Sequence, residues 1–192
     1  MDITLRPLRR EDARAIVAAE DDATVRFLSG GRSTVQGTEE YVDRLEREAA
    51  DGRSKRAFGI WADGACVGTV DFDPQVTDGL EPGDVNIAYG VAPWIRGRGV
   101  AVRAVDLVRG IVAERNLGER AAIRASAENP ASQRVAEKAG FTFSHEMRSA
   151  TDVDDQGRPE VLRVFVRRLR ERATAQDLPG TQRRGSHAAP RP

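Results

Sequence analysis

Residues Asp84 to Ala101 read DVNIAYGVAPWIRGRGVA, and the order of signals in this stretch decides the fold. Val85, Ile87, Tyr89 and Val91 alternate with Asn86, Ala88 and Gly90, the period-two pattern of a strand. Pro93 stops the pattern, because it has no N–H to give to a sheet ladder. Arg96-Gly97-Arg98-Gly99 comes next. Beyond it Val100, Ala101, Ala104, Val105, Val108, Ile111 and Val112 mark one continuous face of a helix.

A strand, a glycine-bearing loop and a helix start together form a place for an anion. The first-turn N–H groups lack intrahelical partners, and the helix dipole adds partial positive charge there. Gly97 and Gly99 remove side chains that would keep a phosphate from the backbone, and Arg96 and Arg98 add charge-assisted donors. Taken by themselves, these residues leave two readings open, a phosphate cradle and a plain tight turn.

A second segment sharpens the choice. Arg96-Gly97-Arg98-Gly99-Val100-Ala101 resembles the R/Q-x-x-G-x-G/A pyrophosphate loop of the GCN5-related N-acetyltransferases. Asn129-Pro130-Ala131-Ser132-Gln133-Arg134-Val135-Ala136-Glu137-Lys138-Ala139-Gly140-Phe141 resembles their N-x-x-S-x-R-V-x-E-K-x-G-F segment. This form is similar to the ribosomal-protein alanine acetyltransferase (RimJ/RimL-type) branch.

The resemblance implies an α/β (α+β) fold: one domain over residues 1–172, with a mixed, mostly antiparallel sheet flanked by helices. Its central strands, here 85–91 and 121–126, would splay apart. Acetyl-CoA would be the acyl donor, its pantetheine arm pairing with the backbone from Ile87 to Val91 by strand augmentation. Val91, Arg96, Gly97, Arg98, Gly99, Val100, Ala101, Asn129 and Ser132 would hold it, and a backbone N–H near Val91 would receive the oxyanion. The acceptor would be a primary amine, on a protein N-terminus or a small molecule, and the family leads us to expect a homodimer.

Two positions depart from the family pattern. Many members carry a tyrosine four residues before the helix-ending glycine, to protonate the leaving thiolate; here that position is Ala136. Ser132 is the substitute expected for that role, against the plain reading of a first-turn serine bonded to nearby backbone. A glutamate that often serves as general base is replaced by Asn86, which can only orient a water or the substrate. Asp71, Asp73, Glu81 and Asp84 are nearby carboxylates, each read as a solvated charge. Asn129 reads first as the cap of its own helix. These departures motivate an alternative, a non-catalytic acyl-CoA sensing module. A third reading is an interaction protein whose loop is only a turn.

Composition narrows the field. The chain has 192 residues, enough for one domain with a core, and 30 basic residues balance 30 acidic ones. No nucleic-acid or anionic-membrane partner is suggested. Cys66 is the only cysteine, which rules out an intrachain disulfide and a cysteine metal cluster; it reads as a small buried strand residue. The opening MDITLRPLRRED has no apolar signal core, and no apolar run approaches membrane-spanning length, so a cytoplasmic protein is the expectation. His145 stands alone on a late strand, and no metal site is expected.

Along the chain, Ile3-Thr4-Leu5-Arg6 with Leu8 predicts a first strand ending near Pro7, and a helix is predicted over Glu11–Ala19 with Ala15, Ile16 and Ala19 inward. A helical turn follows at Thr24–Leu28. A further helix is predicted with Thr38 as N-cap, ending near Gly52. Asp63-Gly64 between two β-rich runs signals a hairpin. The strand–helix–strand passage from 85 to 126 predicts a parallel pair. Asn129-Pro130 starts a helix carrying Ala131, Val135 and Ala139 along one side, and Gly140 ends it. Phe141–Met147 and Val161–Leu169 are strands joined by a turn at Asp154–Arg158, and residues 173–192 read as a disordered tail.

Overall fold

The structure is a computed structural model that describes residues 1–49 and 55–170. The predicted helix end at Gly52 and the predicted tail at 173–192 lie outside the described residues. Seven strands form one sheet: β1 (Ile3–Pro7), β2 (Arg56–Ala62), β3 (Ala65–Asp73), β4 (Asp84–Val91), β5 (Arg120–Ser126), β6 (Thr142–Val153) and β7 (Pro159–Arg168). Their spatial order is β1-β2-β3-β4-β5-β7-β6, antiparallel throughout except for β4 and β5. The helices are α1 (Ala13–Ala18), α2 (Asp22–Thr24), α3 (Val35–Glu48), α4 (Val100–Glu114) and α5 (Pro130–Lys138).

Local chemistry accounts for most of these boundaries. Asp63 and Gly64 both take positive φ, 47° and 87°, as the type I′ turn between β2 and β3 requires. The Asn129 side chain accepts from the Ser132 N–H at 3.0 Å, with Pro130 at the first helical position, and so starts α5.

Three expectations need correction. The α3 helix begins four residues early, because Thr34 rather than Thr38 caps it, accepting from the Gly37 N–H at 3.0 Å; Thr38 is buried inside the helix. The predicted Glu11–Ala19 helix is a 3-10 turn, Arg10–Asp12, followed by α1. Its buried side chains are Ala13 and Ala19, while Ala15 and Ile16 are only half-buried. On α5 the inward residues are Gln133, Ala136 and Ala139, and Ala131 is exposed.

The α4 helix lies on one face of the sheet. Its Val100, Ala104, Val105, Val108 and Val112 are buried with Val67, Val70 and Phe72 of β3 and Val85, Ile87 and Val91 of β4. Burial of that apolar surface is the main favourable term holding α4 and β4 together. The N-terminus of α4 is thereby fixed beside the end of β4.

The parallel pair is short. Only Asp84, Val85 and Asn86 of β4 pair with β5, against Arg120, Ala121 and Ala122. Beyond Asn86, β4 stays with β3 as far as Val91, while β5 stays with β7 as far as Ser126. The sheet therefore opens into a V. Its closed end is pinned by Arg120, whose Nε and Nη2 donate to Asp84 Oδ1 and Oδ2 at 2.6 and 2.9 Å. The Asp84 side chain is 2% exposed, not the solvated charge expected from the sequence.

Removing one partner of a buried pair leaves an uncompensated charge, so Asp84→Ala is expected to lower the unfolding free energy by about 3 kcal/mol. Chemical denaturation checks this; a loss below about 1 kcal/mol would mean that the pair behaves as a surface contact.

Candidate active site

Opening the V exposes one edge of β4. The Ala92 N–H donates to the Val67 carbonyl at 2.8 Å, which fixes the phase of the β3–β4 ladder. By the alternation of an antiparallel pair, Gly90 and Ala88 then bond toward β3, and Val91, Tyr89 and Ile87 turn their N–H and C=O groups into the opening. The carbonyl of Val91 is taken by Arg96 Nε at 2.8 Å. The N–H groups of Tyr89 and Val91 border the space between the strands, where an extended amide chain could pair or a developing oxyanion could be received.

At the mouth of the V, a 3-10 turn at Pro93–Ile95 leads into the glycine loop. Gly97 and Gly99 have φ of 77° and 81°, which L side chains rarely adopt, and a Cβ at either position would meet nothing within 4 Å. Both facts suit a loop that leaves room for a ligand against its backbone. Gly99 is the N-cap of the fifteen-residue α4 and supplies no capping side chain, so the first-turn N–H groups at Val100 and Ala101 have no side-chain cap. Arg98 is exposed beside them.

Arg96 is placed differently from the phosphate donor expected of it. Its Nη1 and Nη2 donate to Asp21 Oδ2 and Oδ1 at 2.7 and 2.8 Å, and Nη2 lies 3.3 Å from Thr24 Oγ1. The hydrogen bonds from Arg96 hold the Asp21 carboxyl well below the usual carboxylate range. Asp21 also accepts from the Thr24 N–H as the cap of α2. The guanidinium thus ties the glycine loop to α2 instead of facing the loop's interior.

Across the opening stand Tyr89 and Ser132, a pairing that the sequence reading missed because they are 43 residues apart. The Tyr89 hydroxyl is 2.9 Å from Ser132 Oγ and donates to the Ser132 carbonyl at 3.1 Å. Burial pushes the Tyr89 phenol up to about 12, with the bond to Ser132 opposing the shift. At neutral pH the phenol is therefore protonated, and phenol and serine form one O–H relay at the edge of the gap. Asn129 caps α5 and holds the Ser132 backbone. Ala136 is fully buried, so nothing replaces the tyrosine at that position from the helix itself.

On the opposite face of β4, α2 runs into a π-helical turn, Val25–Ser29, that lies over Gly90; a Cβ there would meet Leu28 Cδ2 at 2.8 Å. From this turn Arg26 reaches Asp155 at 2.9 Å, Glu160 at 2.8 Å and Glu128 at 3.3 Å, spanning the β6–β7 turn, β7 and the start of the α5 loop. Glu160 is buried and also accepts from Ser126 Oγ at 2.7 Å. Asn86 is 8% exposed, and its Oδ1 has no partner. On β3, Asp71 is a half-buried side chain held by Lys55 Nζ at 3.2 Å, and its Oδ1 is likewise unpartnered. Asp71 is therefore not a solvated strand-end charge; burial pushes it up to about 6, against the opposing pull of Lys55.

Other candidates fall away from the opening. Cys66 is half-buried on β3, with its thiol pushed up by burial. His145 is exposed on β6, with its Nδ1 3.1 Å from Ser144 Oγ. Among the described residues no group of His, Cys, Asp and Glu could hold a metal, and no helix is long and apolar enough to cross a membrane.

Comparison with known families gives a match to the acetyltransferase (GNAT) domain over residues 2–142. Comparison with curated proteins gives no match. Among solved structures the chain is similar to a Mycobacterium smegmatis RimJ in complex with CoA-disulfide, with a TM-score of 0.74, 23% identity, and coverage of 93% of this chain and 85% of that one. It is also similar to RimL, a ribosomal L7/L12 alpha-N-protein acetyltransferase in complex with coenzyme A, with a TM-score of 0.73, 18% identity, and coverage of 86% and 93%. A spermidine N-acetyltransferase from Vibrio cholerae in complex with CoA and spermine gives a TM-score of 0.69, 17% identity, and coverage of 87% and 95%.

The site's electrostatics are open to direct measurement. Tyr41 and Tyr89 are the chain's 2 tyrosines, and burial raises both phenols. Spectrophotometric titration of the folded protein should show little tyrosinate at pH 10, where an ordinary phenol is half-ionised. The unfolded chain releases these protons first, so stability should fall as pH rises from about 10 toward about 12. A tyrosinate midpoint near 10 for both residues would contradict the buried Tyr89–Ser132 relay.

Proposed function

Because the chain belongs to the GNAT acetyltransferase family, matched over residues 2–142, we propose that the V-shaped opening carries acetyl transfer from acetyl-CoA to a primary amine. It is an N-acetyltransferase with acetyl-CoA as acyl donor; the proposal concerns which residues do the work and what kind of acceptor they take. The observation that carries the reading is the release of β4 from β5 after Asn86, beside a glycine-lined helix start and opposite the Tyr89–Ser132 pair.

The residues divide the task as follows. Backbone N–H groups at Gly97 to Ala101 and the exposed Arg98 side chain receive the diphosphate. Tyr89 and Val91 present their outward N–H groups to the amide arm and the carbonyl oxygen. Ser132, hydrogen-bonded to a phenol that stays protonated, delivers a proton to the leaving sulfur, and Tyr89 resupplies it. Asn129 keeps the start of α5, and with it Ser132, in register with β4. The acceptor is a primary amine, either a protein N-terminus or a polyamine, as in the solved relatives named above. It approaches the face of β4 that carries Ala88 and Gly90, small residues that are only half-buried.

Calorimetric titration of acetyl-CoA, paired with a thiol-release assay on spermidine and a serine-starting peptide, tests the reading. Wild type should bind, and a Gly97→Glu, Gly99→Glu double variant should not, because two carboxylates would fill the phosphate space. Tyr89→Phe and Ser132→Ala should each lower kcat about a hundredfold while leaving acetyl-CoA binding intact. Binding without turnover on a broad amine panel would favour a sensing module, and no binding by wild type would overturn the reading.

A further inference from the structure

Two polar side chains on the acceptor-facing side of the sheet, Asp71 and Asn86, have no role in the chemistry above. Asp71 lies on β3 directly opposite Ala88, and Asn86 is two residues before Ala88 on β4. Side chains at those positions share a face, and the diagonal pair Asp71–Asn86 is within reach of a single small group. Each carries a buried oxygen without a hydrogen-bond donor, Asp71 Oδ1 and Asn86 Oδ1. Two unpartnered acceptors on one face cost free energy unless a ligand or water supplies N–H or O–H groups.

The donor side of this cluster is already taken. Lys55 Nζ is 3.2 Å from Asp71 Oδ2 and lies 5.9 Å from the Tyr41 ring centre. Burial would lower the Lys55 ammonium, but Asp71 and Tyr41 outweigh it and raise it, so it stays a cation. Lys55 thus holds one carboxylate oxygen and leaves the other without a partner.

Access comes from β4 itself. Ala88 and Gly90 offer almost no side chain, and both are half-buried; Leu28 of the π-helical turn lies over Gly90, and an acceptor reaching Asp71 and Asn86 would pass beneath it. Tyr89 and Ser132 stand on the opposite face of β4. A thioester lying in the plane of the V would have carboxylate and amide oxygens on one side and the hydroxyl relay on the other. Attack and departure need that arrangement, since the nitrogen loses protons where it arrives and the sulfur gains one where it leaves.

We propose that Asp71 Oδ1 and Asn86 Oδ1 receive the acceptor's primary ammonium and that Asp71 is the general base of the transfer. The inference rests on the acetyltransferase reading of the opening. The ammonium gives one N–H proton to the Asp71 carboxylate. The neutral nitrogen then forms the C–N bond to the acetyl carbonyl carbon, and the C–S bond breaks. The thiolate takes its proton from Ser132 and solvent refills the relay, while Asp71 passes its first proton to solvent and then takes the second proton lost from nitrogen, which follows the first. One proton is released per turnover. Asp71 titrates at about 6, so it is a carboxylate at neutral pH yet a stronger base than an exposed aspartate. The charged and titratable groups around it are Lys55, Tyr41 and Arg44 on the α3 side and Asp73 on its own strand. On this face β4 contributes Asp84, held by Arg120, and then Asn86, Ala88 and Gly90.

The test combines pH–rate profiles on spermidine and a serine-starting peptide with a carbon-NMR titration of the Asp71 carboxyl in the full chain. Wild type should show an acid limb of kcat/KM near pH 6, coincident with the Asp71 titration. Asp71→Asn should lower kcat at least about a hundredfold and abolish that limb, with acetyl-CoA affinity unchanged. Lys55→Met removes the charge that holds Asp71 down, so the limb and the NMR midpoint should move together to higher pH, which a merely structural pair would not produce. This variant decides the matter even if Asp71→Asn does not fold. Wild-type turnover in Asp71→Asn, or an acid limb that stays fixed in Lys55→Met, overturns the inference. Failure of wild type to bind acetyl-CoA instead overturns the acetyltransferase reading beneath it.

Discussion

A three-residue parallel pairing governs this molecule. Had β4 and β5 stayed together for their full length, the backbone of Ile87 to Val91 would be consumed by the ladder, with no edge left to offer a ligand. The β3–β4 and β5–β7 antiparallel pairs outcompete the central one, and the right-handed twist of a sheet makes such a divergence inexpensive once registers stop matching. What prevents the divergence from running further is local: Asp84 and Arg120 grip each other at the point where the strands still touch. The opening is therefore a fixed feature of the sheet.

Around that gap the two faces of β4 are built differently. One face carries Ile87, Tyr89 and Val91 into the α4 and α5 side, where apolar packing is dense and the lone hydroxyl pair stands out. The other carries Asn86, Ala88 and Gly90, where small and polar groups keep the surface open beneath the π-helical turn. Period two allows one strand to serve both needs.

The sequence was most legible where structure is dictated within a few residues. The Asp63-Gly64 turn, the start of α4 after Gly99 and the Asn129-Pro130 start of α5 each follow from neighbours in the chain. Family motifs added the order of elements. Thr38 misled because the acids after it imitate a first turn, whereas the Thr34 side chain accepts from the Gly37 N–H and starts the helix four residues earlier, leaving Thr38 buried within it. What could not be read were contacts between residues far apart. Arg96 reads as a phosphate ligand, and its contact with Asp21, 75 positions away, could not be read from the chain. Asp71 looks like a solvated charge until Lys55 and Tyr41 enclose it, and Tyr89 looks like one more core residue until Ser132 faces it.

The Asp21–Arg96 contact has a thermodynamic corollary. Arg96 belongs to the glycine loop; Asp21 caps α2; and α2 continues into the turn whose Leu28 covers Gly90 and whose Arg26 grips the far side of the cleft. A single strap of chain thus joins the loop proposed for the donor's phosphates to the face of β4 proposed for the acceptor. Linkage is reciprocal: whatever free energy a nucleotide at the loop contributes to ordering that strap, an amine bound beneath it returns to the nucleotide. Substitutions at Asp21 would then alter the order and cooperativity of substrate binding without touching either substrate.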